Sequence, residues 1–395
     1  MNDDDLLGFT TRALNSSAPG EPVREMPLAE PIYQSATFSF DDMEHFAAVG
    51  KSKVSGGYLY SRWANPTVDA LARTIAALEG AEAAACYASG MGAIAAVLTS
   101  ILGRGDHLVA ARQLYGGTFG FINRSLLRDG VDTEFVDITD HAAVRAAIRR
   151  ETKALYCETI GNPMLPVADL ASLATIAHEH GFPLIVDATF TPPCLLQPLA
   201  YGVDLSIHAA TKYLAGHGDV LAGVVSGTQE AIERIRLDNV ETGAVLAPWE
   251  AWLTLRGVQT LALRLERICR NAESLASMFE EHAGVDRVFY PGLGSHPQHV
   301  IAQSLLKRGA GGMMAIELSG GIEAGRRFME RLRIARAAAS LGSTHTLVVH
   351  PASVTHTQLT RAQREVTGIS DGLVRISVGI EDAADLLLDF DQALA

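Results

Sequence analysis

The sequence of 395 residues predicts an α/β fold, with a large domain built on a mostly parallel central sheet and a smaller C-terminal α+β domain. From about residue 83 to 230, short apolar runs alternate with amphipathic segments, which is the pattern of repeated βαβ units. A long helical pattern then runs from Pro248 to about Glu281, apolar at Trp252, Leu255, Leu261, Leu265, Ile268, Leu275 and Met278. Beyond it, the run from Gly311 to Leu318 reads as the first strand of the second unit.

Taken in order, residues 1–60 read as an arm, because Pro19, Pro22, Pro27 and Pro31 are too closely spaced for a helix to persist. Pro31 to Phe38 reads as extended. A loop from Gly56 to Thr67 is rich in aromatic and hydroxyl groups and carries Arg62. Pro66-Thr67 opens a helix through Leu71, Ile75 and Leu78, closed at Gly80. The expected strands are Ala83 to Tyr87, His107 to Ala110, Thr133 to Val136, Ala154 to Cys157, Leu184 to Val186, Leu205 to His208 and Gly223 to Ser226. Functional loops gather at the carboxyl ends of such strands, and Ser89, Tyr115, Glu158, Asp187 and Lys212 all follow them. The division expected is an arm at 1–60, a large domain at 61–250 and a C-terminal domain with its linking helix at 251–395.

A hydrophobic share of 48% and a charged share of 19% fit a globular chain, and a net charge of -13 argues against a nucleic-acid surface. The acidic start, Met1-Asn2-Asp3-Asp4-Asp5, is unlike a secretory or mitochondrial leader, so a cytoplasmic location is expected. Cys86, Cys157, Cys194 and Cys269 form no closely spaced pair and read as reduced thiols. The uncharged stretch from Ala83 to Gly103 reads as a strand turning into a buried helix, with no membrane span. His345, His350 and His356 match no helical ligand spacing, so no metal is expected.

The glycines of Ser89-Gly90-Met91-Gly92 let backbone N–H groups close around an anion at a helix N-terminus. A plain strand-to-helix turn reads equally well there. Lys212 stands in Ala209-Ala210-Thr211-Lys212-Tyr213, and upstream the apolar run Pro183-Leu184-Ile185-Val186 ends on Asp187. A pyridoxal phosphate enzyme needs a lysine for the aldehyde, a carboxylate for the ring nitrogen and donors for the phosphate, and these three places supply one of each. On spacing alone, a surface salt-bridge lysine and a strand-end turn aspartate remain open readings.

Over nearly its whole length the chain resembles the Cys/Met metabolism family of pyridoxal phosphate enzymes, which includes cystathionine γ-synthase, cystathionine γ-lyase, methionine γ-lyase and the O-acylhomoserine sulfhydrylases. The matching stretches are Tyr60-Ser61-Arg62 with Asn65-Pro66-Thr67, Ser89-Gly90-Met91, Leu114-Tyr115-Gly116, and Glu158-Thr159 with Gly161-Asn162-Pro163. To these are added Asp187 with Thr189-Phe190, Thr211-Lys212-Tyr213 with Gly216-His217, and Gly368-Ile369-Ser370 through Glu381. The resemblance implies the fold type I of pyridoxal 5'-phosphate-dependent transferases, with sites shared across a dimer and dimers paired into a homotetramer. It implies Lys212 as the Schiff-base lysine, Asp187 as partner of the ring nitrogen, and Gly90, Met91 and Thr211 on the phosphate, with Tyr60 and Arg62 reaching it from the neighbouring subunit. Tyr115 stacks on the ring, Asn162 contacts the ring hydroxyl and substrate, Arg375 holds the substrate carboxylate, and Ser340 and His345 line the substrate side. Lys212, Tyr115 and Asp187 are then the catalytic set.

Where this family commonly has asparagine, serine and an acidic residue, the chain has Ala188, Ala209 and His345, and methionine γ-lyases commonly place a cysteine where Gly117 stands. A distal substrate ammonium prefers a carboxylate, so His345 disfavours cystathionine. The activity this implies is a γ-lyase acting on an L-amino acid with a γ leaving group, such as methionine, homocysteine, cystathionine or an O-linked homoserine derivative like canavanine. The alternative is a γ-replacement transferase.

Overall fold

The structure, a computed structural model, describes residues 27–51, 57–354 and 369–395. Most of the expected arm, together with Gly56, His356 and Gly368, lies outside the described residues. Residues 27–31 carry no helix or strand and separate from the unit Ile32–Ala395.

A short helix α1 (Met43–Gly50) is flanked by Thr37 and Tyr60, which form an isolated bridge between the expected extended stretch and the aromatic loop. Helix α2 (Pro66–Glu79) starts where Asn65 accepts the Thr67 N–H at 3.0 Å, and it stops at Gly80, whose φ of 67° is a left-handed conformation suited to glycine. Strand β1 (Ala83–Tyr87) leads into α3 (Gly90–Ile101), capped by the Ser89 hydroxyl on the Gly92 N–H at 3.0 Å. There follow β2 (His107–Ala111), α4 (Gly116–Phe121), β3 (Asp132–Val136), α5 (His141–Ala147), β4 (Thr152–Glu158), α6 (Leu170–Glu179), β5 (Leu184–Asp187), β6 (Leu205–His208) and β7 (Gly223–Gly227).

These strands form one sheet in the order β1-β7-β6-β5-β4-β2-β3, with β7 antiparallel to both neighbours and the other pairings parallel. Strands β2, β5, β6 and β7 are buried along their whole length, as expected of a sheet covered on both faces. Every apolar run expected as a strand is found as one.

The region read as one long helix is two: α8 (Pro248–Val258), after α7 (Gln229–Thr242), and α9 (Leu261–Glu281). The break has a packing cause. A methyl group on Gly257 would lie 2.1 Å from the Ala215 carbonyl oxygen, so α8 ends pressed against the loop after Lys212, and the chain must redirect at Gln259-Thr260. Helix α9 buries Leu265, Ile268, Ala272, Leu275 and Phe279, the stripe expected of an amphipathic helix.

The second sheet comprises β8 (Val285–Phe289), β9 (Met313–Leu318), β10 (Arg336–Ala337), β11 (Leu347–Val349) and β12 (Leu373–Ser377), in the order β10-β11-β12-β9-β8. Helices α10 (His299–Leu305), α11 (Gly321–Arg331) and α12 (Ala383–Leu394) complete this part. The sheet therefore opens upstream of the expected Gly311–Leu318 run. Asp286 and Arg287 interrupt β8, which for that reason does not read as an apolar strand. A continuous cluster of buried residues runs from Leu71 through both sheets to Phe390. No helix among the described residues is long and apolar enough to cross a membrane.

Candidate active site

Asp187 ends β5, in register with Glu158 at the end of β4 and Ile207 on β6. It is 7% exposed, and burial pushes its carboxyl above the ordinary range. Working the other way, Oδ1 accepts the Thr189 hydroxyl at 2.5 Å and the Thr189 N–H at 2.9 Å, and the His208 imidazole acts in the same direction. Both bonds fall on Oδ1, so among the described residues Oδ2 is left to accept a further donor.

Ala209 joins this carboxylate to the rest of the site. Its N–H donates to the Thr189 hydroxyl oxygen at 2.8 Å, and its carbonyl accepts the Lys212 N–H at 3.0 Å. Its side chain packs on the turn before α3, where a methyl on Gly90 would lie 2.6 Å from the Ala209 Cβ. Carboxylate, lysine and glycine turn are thus held in mutual position by one small residue. The Gly90 and Met91 N–H groups are first-turn donors that the helix itself leaves without partners, since Ser89 takes only the Gly92 N–H.

Lys212 Nζ lies 2.9 Å from the Ser340 hydroxyl. Burial, and then the charge of Arg375, lower the affinity of this amine for a proton. Arg375 projects from β12 and donates to Asn162 Oδ1 at 3.3 Å and to the Ser340 carbonyl at 3.2 Å. Burial works against its charge, the Tyr213 and Tyr115 phenols lie within its electrostatic reach, and among the described residues no carboxylate pairs with it. Ser340 therefore touches both the lysine and the arginine.

Tyr115 precedes α4, and its N–H donates to Glu158 Oε1 at 2.5 Å. Its ring is half exposed and fills the space beside Gly117, where a methyl group would lie 2.4 Å from Tyr115 Cε1 and 3.1 Å from Met91 Sδ. The site thus unites Lys212, Asp187, Gly90, Met91, Tyr115, Asn162, Ser340 and Arg375.

Four expected residues stand differently. The Thr211 hydroxyl accepts the Ala222 N–H at 2.9 Å and donates to the Ala222 carbonyl at 3.2 Å, so its proton is already engaged. Tyr60 and Arg62 are exposed; the guanidinium lies over the Tyr60 ring and donates to the Val240 carbonyl at 2.7 Å. His345 is exposed, and its contacts are with Thr344 and Ser343 of its own loop.

Sequence reasoning gave no role to Thr189, to Glu158 or to Arg264. Arg264, 5% exposed on α9, donates to the Tyr213, Leu214 and Gly257 carbonyls at 2.8, 3.3 and 2.7 Å and so holds the turn that carries Lys212. Thr189 and Glu158 lie in stretches that the family resemblance had already marked. Arg264 carries no such signal, being one of several arginines on its helix.

A buried amine suited to an aldehyde, a buried carboxylate with one oxygen left for a ring N–H, and a helix N-terminus for a phosphate make up a donor set that fits pyridoxal 5'-phosphate. Fold and site together define a pyridoxal phosphate-dependent enzyme of fold type I. The family of Cys/Met metabolism PLP-dependent enzymes matches residues 11–395, and the chain belongs to it. Its sequence is 45% identical over 391 residues to the L-methionine gamma-lyase of Pseudomonas putida, covering 98% of each chain. It is 43% identical over 368 residues to the cystathionine gamma-lyase of Bacillus subtilis (strain 168), covering 93% of this chain and 94% of that protein. A crystal structure of cystathionine gamma-lyase from Lactobacillus plantarum complexed with L-serine superposes with a TM-score of 0.86 at 38% identity, over 92% of each chain. The protein is a pyridoxal phosphate-dependent lyase that acts by γ-elimination on an amino acid.

Proposed function

We propose that the enzyme removes the γ substituent of a small L-α-amino acid with an uncharged side chain, L-methionine first among them, giving a thiol, 2-oxobutanoate and ammonia with uptake of water. The observation that carries this reading is the junction at Ser340, which brings together the Lys212 amine and the Arg375 guanidinium, with which no carboxylate pairs among the described residues. A buried cation that donates only to neutral oxygens is costly unless an anion completes it, and a substrate α-carboxylate fits the free part of the fork.

When bound, the cofactor supplies an electron sink that makes the substrate's Cα and Cβ protons acidic. Lys212, whose burial favours the neutral amine, takes the Cα proton on Nζ and passes protons at Cβ. Asp187 Oδ2 would hold the ring N–H, and the Gly90 and Met91 N–H groups would hold the phosphate, while Thr211, whose hydroxyl and N–H are spent on Ala222, would steady the turn beside it. Asn162 orients the ring hydroxyl and the substrate, and Tyr115 gives a proton from its phenol to the departing sulfur. With His345 standing on the exposed loop where the family commonly has an acidic residue, an uncharged leaving group is favoured over the ammonium-bearing half of cystathionine.

The working form is a homo-oligomer, a dimer at least and a dimer of dimers by extension, with Tyr60 and Arg62 completing the neighbour's phosphate site. Their exposure supports this. Residues 61–250 act as the cofactor domain and 251–395 as the C-terminal domain. Four cysteines without disulfides support a reducing, cytoplasmic location.

The test is a panel of L-methionine, L-homocysteine, cystathionine, O-acetylhomoserine and canavanine, each with and without an added thiol, followed for 2-oxobutanoate and new thioethers. Keto acid from methionine in both conditions is expected. Thioether formation with little keto acid would sink the reading.

A further inference from the structure

We propose that Glu158 is a positioning residue that works as a neutral carboxylic acid, anchoring the Tyr115 backbone while leaving Asp187 as the single anion at this edge of the sheet. Glu158 and Asp187 are register partners at the carboxyl ends of adjacent parallel strands, and each is 7% exposed. Paired strands lie roughly 4.8 Å apart, so two full negative charges here would repel each other with little water to screen them.

The surroundings decide which residue keeps the charge. Asp187 receives two donors from Thr189 and has His208 on the next strand. Among the described residues Glu158 receives only the Tyr115 N–H. Within its electrostatic reach on its own strand are the Tyr156 phenol and the Cys157 thiol, both themselves held protonated by burial. No lysine or arginine pairs with Glu158 among the described residues. Burial first, and the Asp187 charge second, raise its proton affinity well above that of an ordinary carboxyl. A neutral acid still offers Oε1 as an acceptor, so the bond to Tyr115 survives protonation. That bond fixes the residue before α4 and, through it, the ring that lies against Gly117 and Met91.

The consequence for catalysis rests on the acid role proposed for Tyr115, whereas the neutral state of Glu158 does not. Glu158→Gln keeps the shape, the neutrality and the acceptor, and Glu158→Leu removes the acceptor. In the holoenzyme, Glu158→Gln is expected to retain kcat within about threefold, and Glu158→Leu to lose at least about tenfold with a smaller change in KM. The visible circular dichroism of the bound cofactor should be unchanged in the first variant and weakened in the second. Infrared spectra at pH 8 should contain a protonated-carboxyl stretch that Glu158→Gln lacks, a readout independent of activity and of how well Glu158→Leu folds. Loss of activity in Glu158→Gln equal to that in Glu158→Leu, or absence of the infrared band, would overturn the proposal. A fully active Tyr115→Phe variant would overturn the Tyr115 role alone and leave the infrared result standing.

Discussion

Lys212 is the residue on which chemistry and environment meet most directly. Its amine prefers to be neutral in the folded protein because of burial and the nearby Arg375 charge, so the folded state binds fewer protons here than the unfolded chain. Stability of the cofactor-free protein should therefore rise with pH between this lowered value and the ordinary lysine value of 10.5, and level off above it. Recapture of pyridoxal phosphate by the cofactor-free protein should accelerate with pH to a midpoint below that ordinary value. In Arg375→Leu the midpoint should move upward, because the repelling charge is gone, and KM for the amino acid should rise at least about thirtyfold. A stopped-flow pH series on both proteins checks this; an unmoved midpoint would show that Arg375 does not act on the amine. The strands before Lys212 and Asp187 are legible in the sequence as short apolar runs, whereas the roles of the two residues come from the family resemblance, since spacing alone leaves a salt-bridge lysine and a turn aspartate open. The Ser340 junction was not legible, since it depends on how the loop before β11 meets the turn after β6.

At the scale of elements, the turn after β6 explains what a single chain of letters hides. Every strand of the large sheet was readable from its apolar run, yet the break between α8 and α9 was not, because it is imposed by the Ala215 carbonyl pressing on Gly257 from a distant part of the sequence. The same turn contains Gly216, with a φ of 74°, where a methyl group would lie 2.0 Å from Arg264 Nη1. Gly216→Ala thus combines an unfavourable backbone conformation with displacement of the guanidinium that holds the Tyr213 and Leu214 carbonyls. A loss of about 2 kcal/mol or more in denaturation experiments is expected, with slower cofactor capture. Gly90→Ala acts on the facing element: the added methyl must push Ala209 away, so affinity for pyridoxal phosphate should fall while unfolding in the cofactor-free state changes less. Equal damage to both quantities would mean that the glycine serves the core rather than the phosphate seat. Strand β8 shows the opposite limit of legibility, for its charged residues conceal a strand that only pairing with β9 defines.

For the whole molecule, the exposed pair Tyr60 and Arg62 raises the question of how many chains make one site. Arg62 is held by Val240 and lies over Tyr60, contacts that leave both residues at the surface. The family resemblance implies that both reach the neighbouring subunit's phosphate, a relation that composition and periodicity do not carry. Two inactive proteins separate the cases. One carries Lys212→Ala and the other Arg62→Ala, and they are mixed under conditions that exchange subunits. If Arg62 completes a neighbour's site, each mixed dimer holds one site with both defects and one with neither. Half of the dimers are mixed at equilibrium, so about a quarter of all sites regain wild-type composition, and activity should recover toward that fraction. If Arg62 serves its own chain, every site retains one defect and no activity returns. Activity that follows the Arg62→Ala protein alone, without any gain on mixing, would therefore show that each chain builds its own site, and the shared-site proposal would be abandoned.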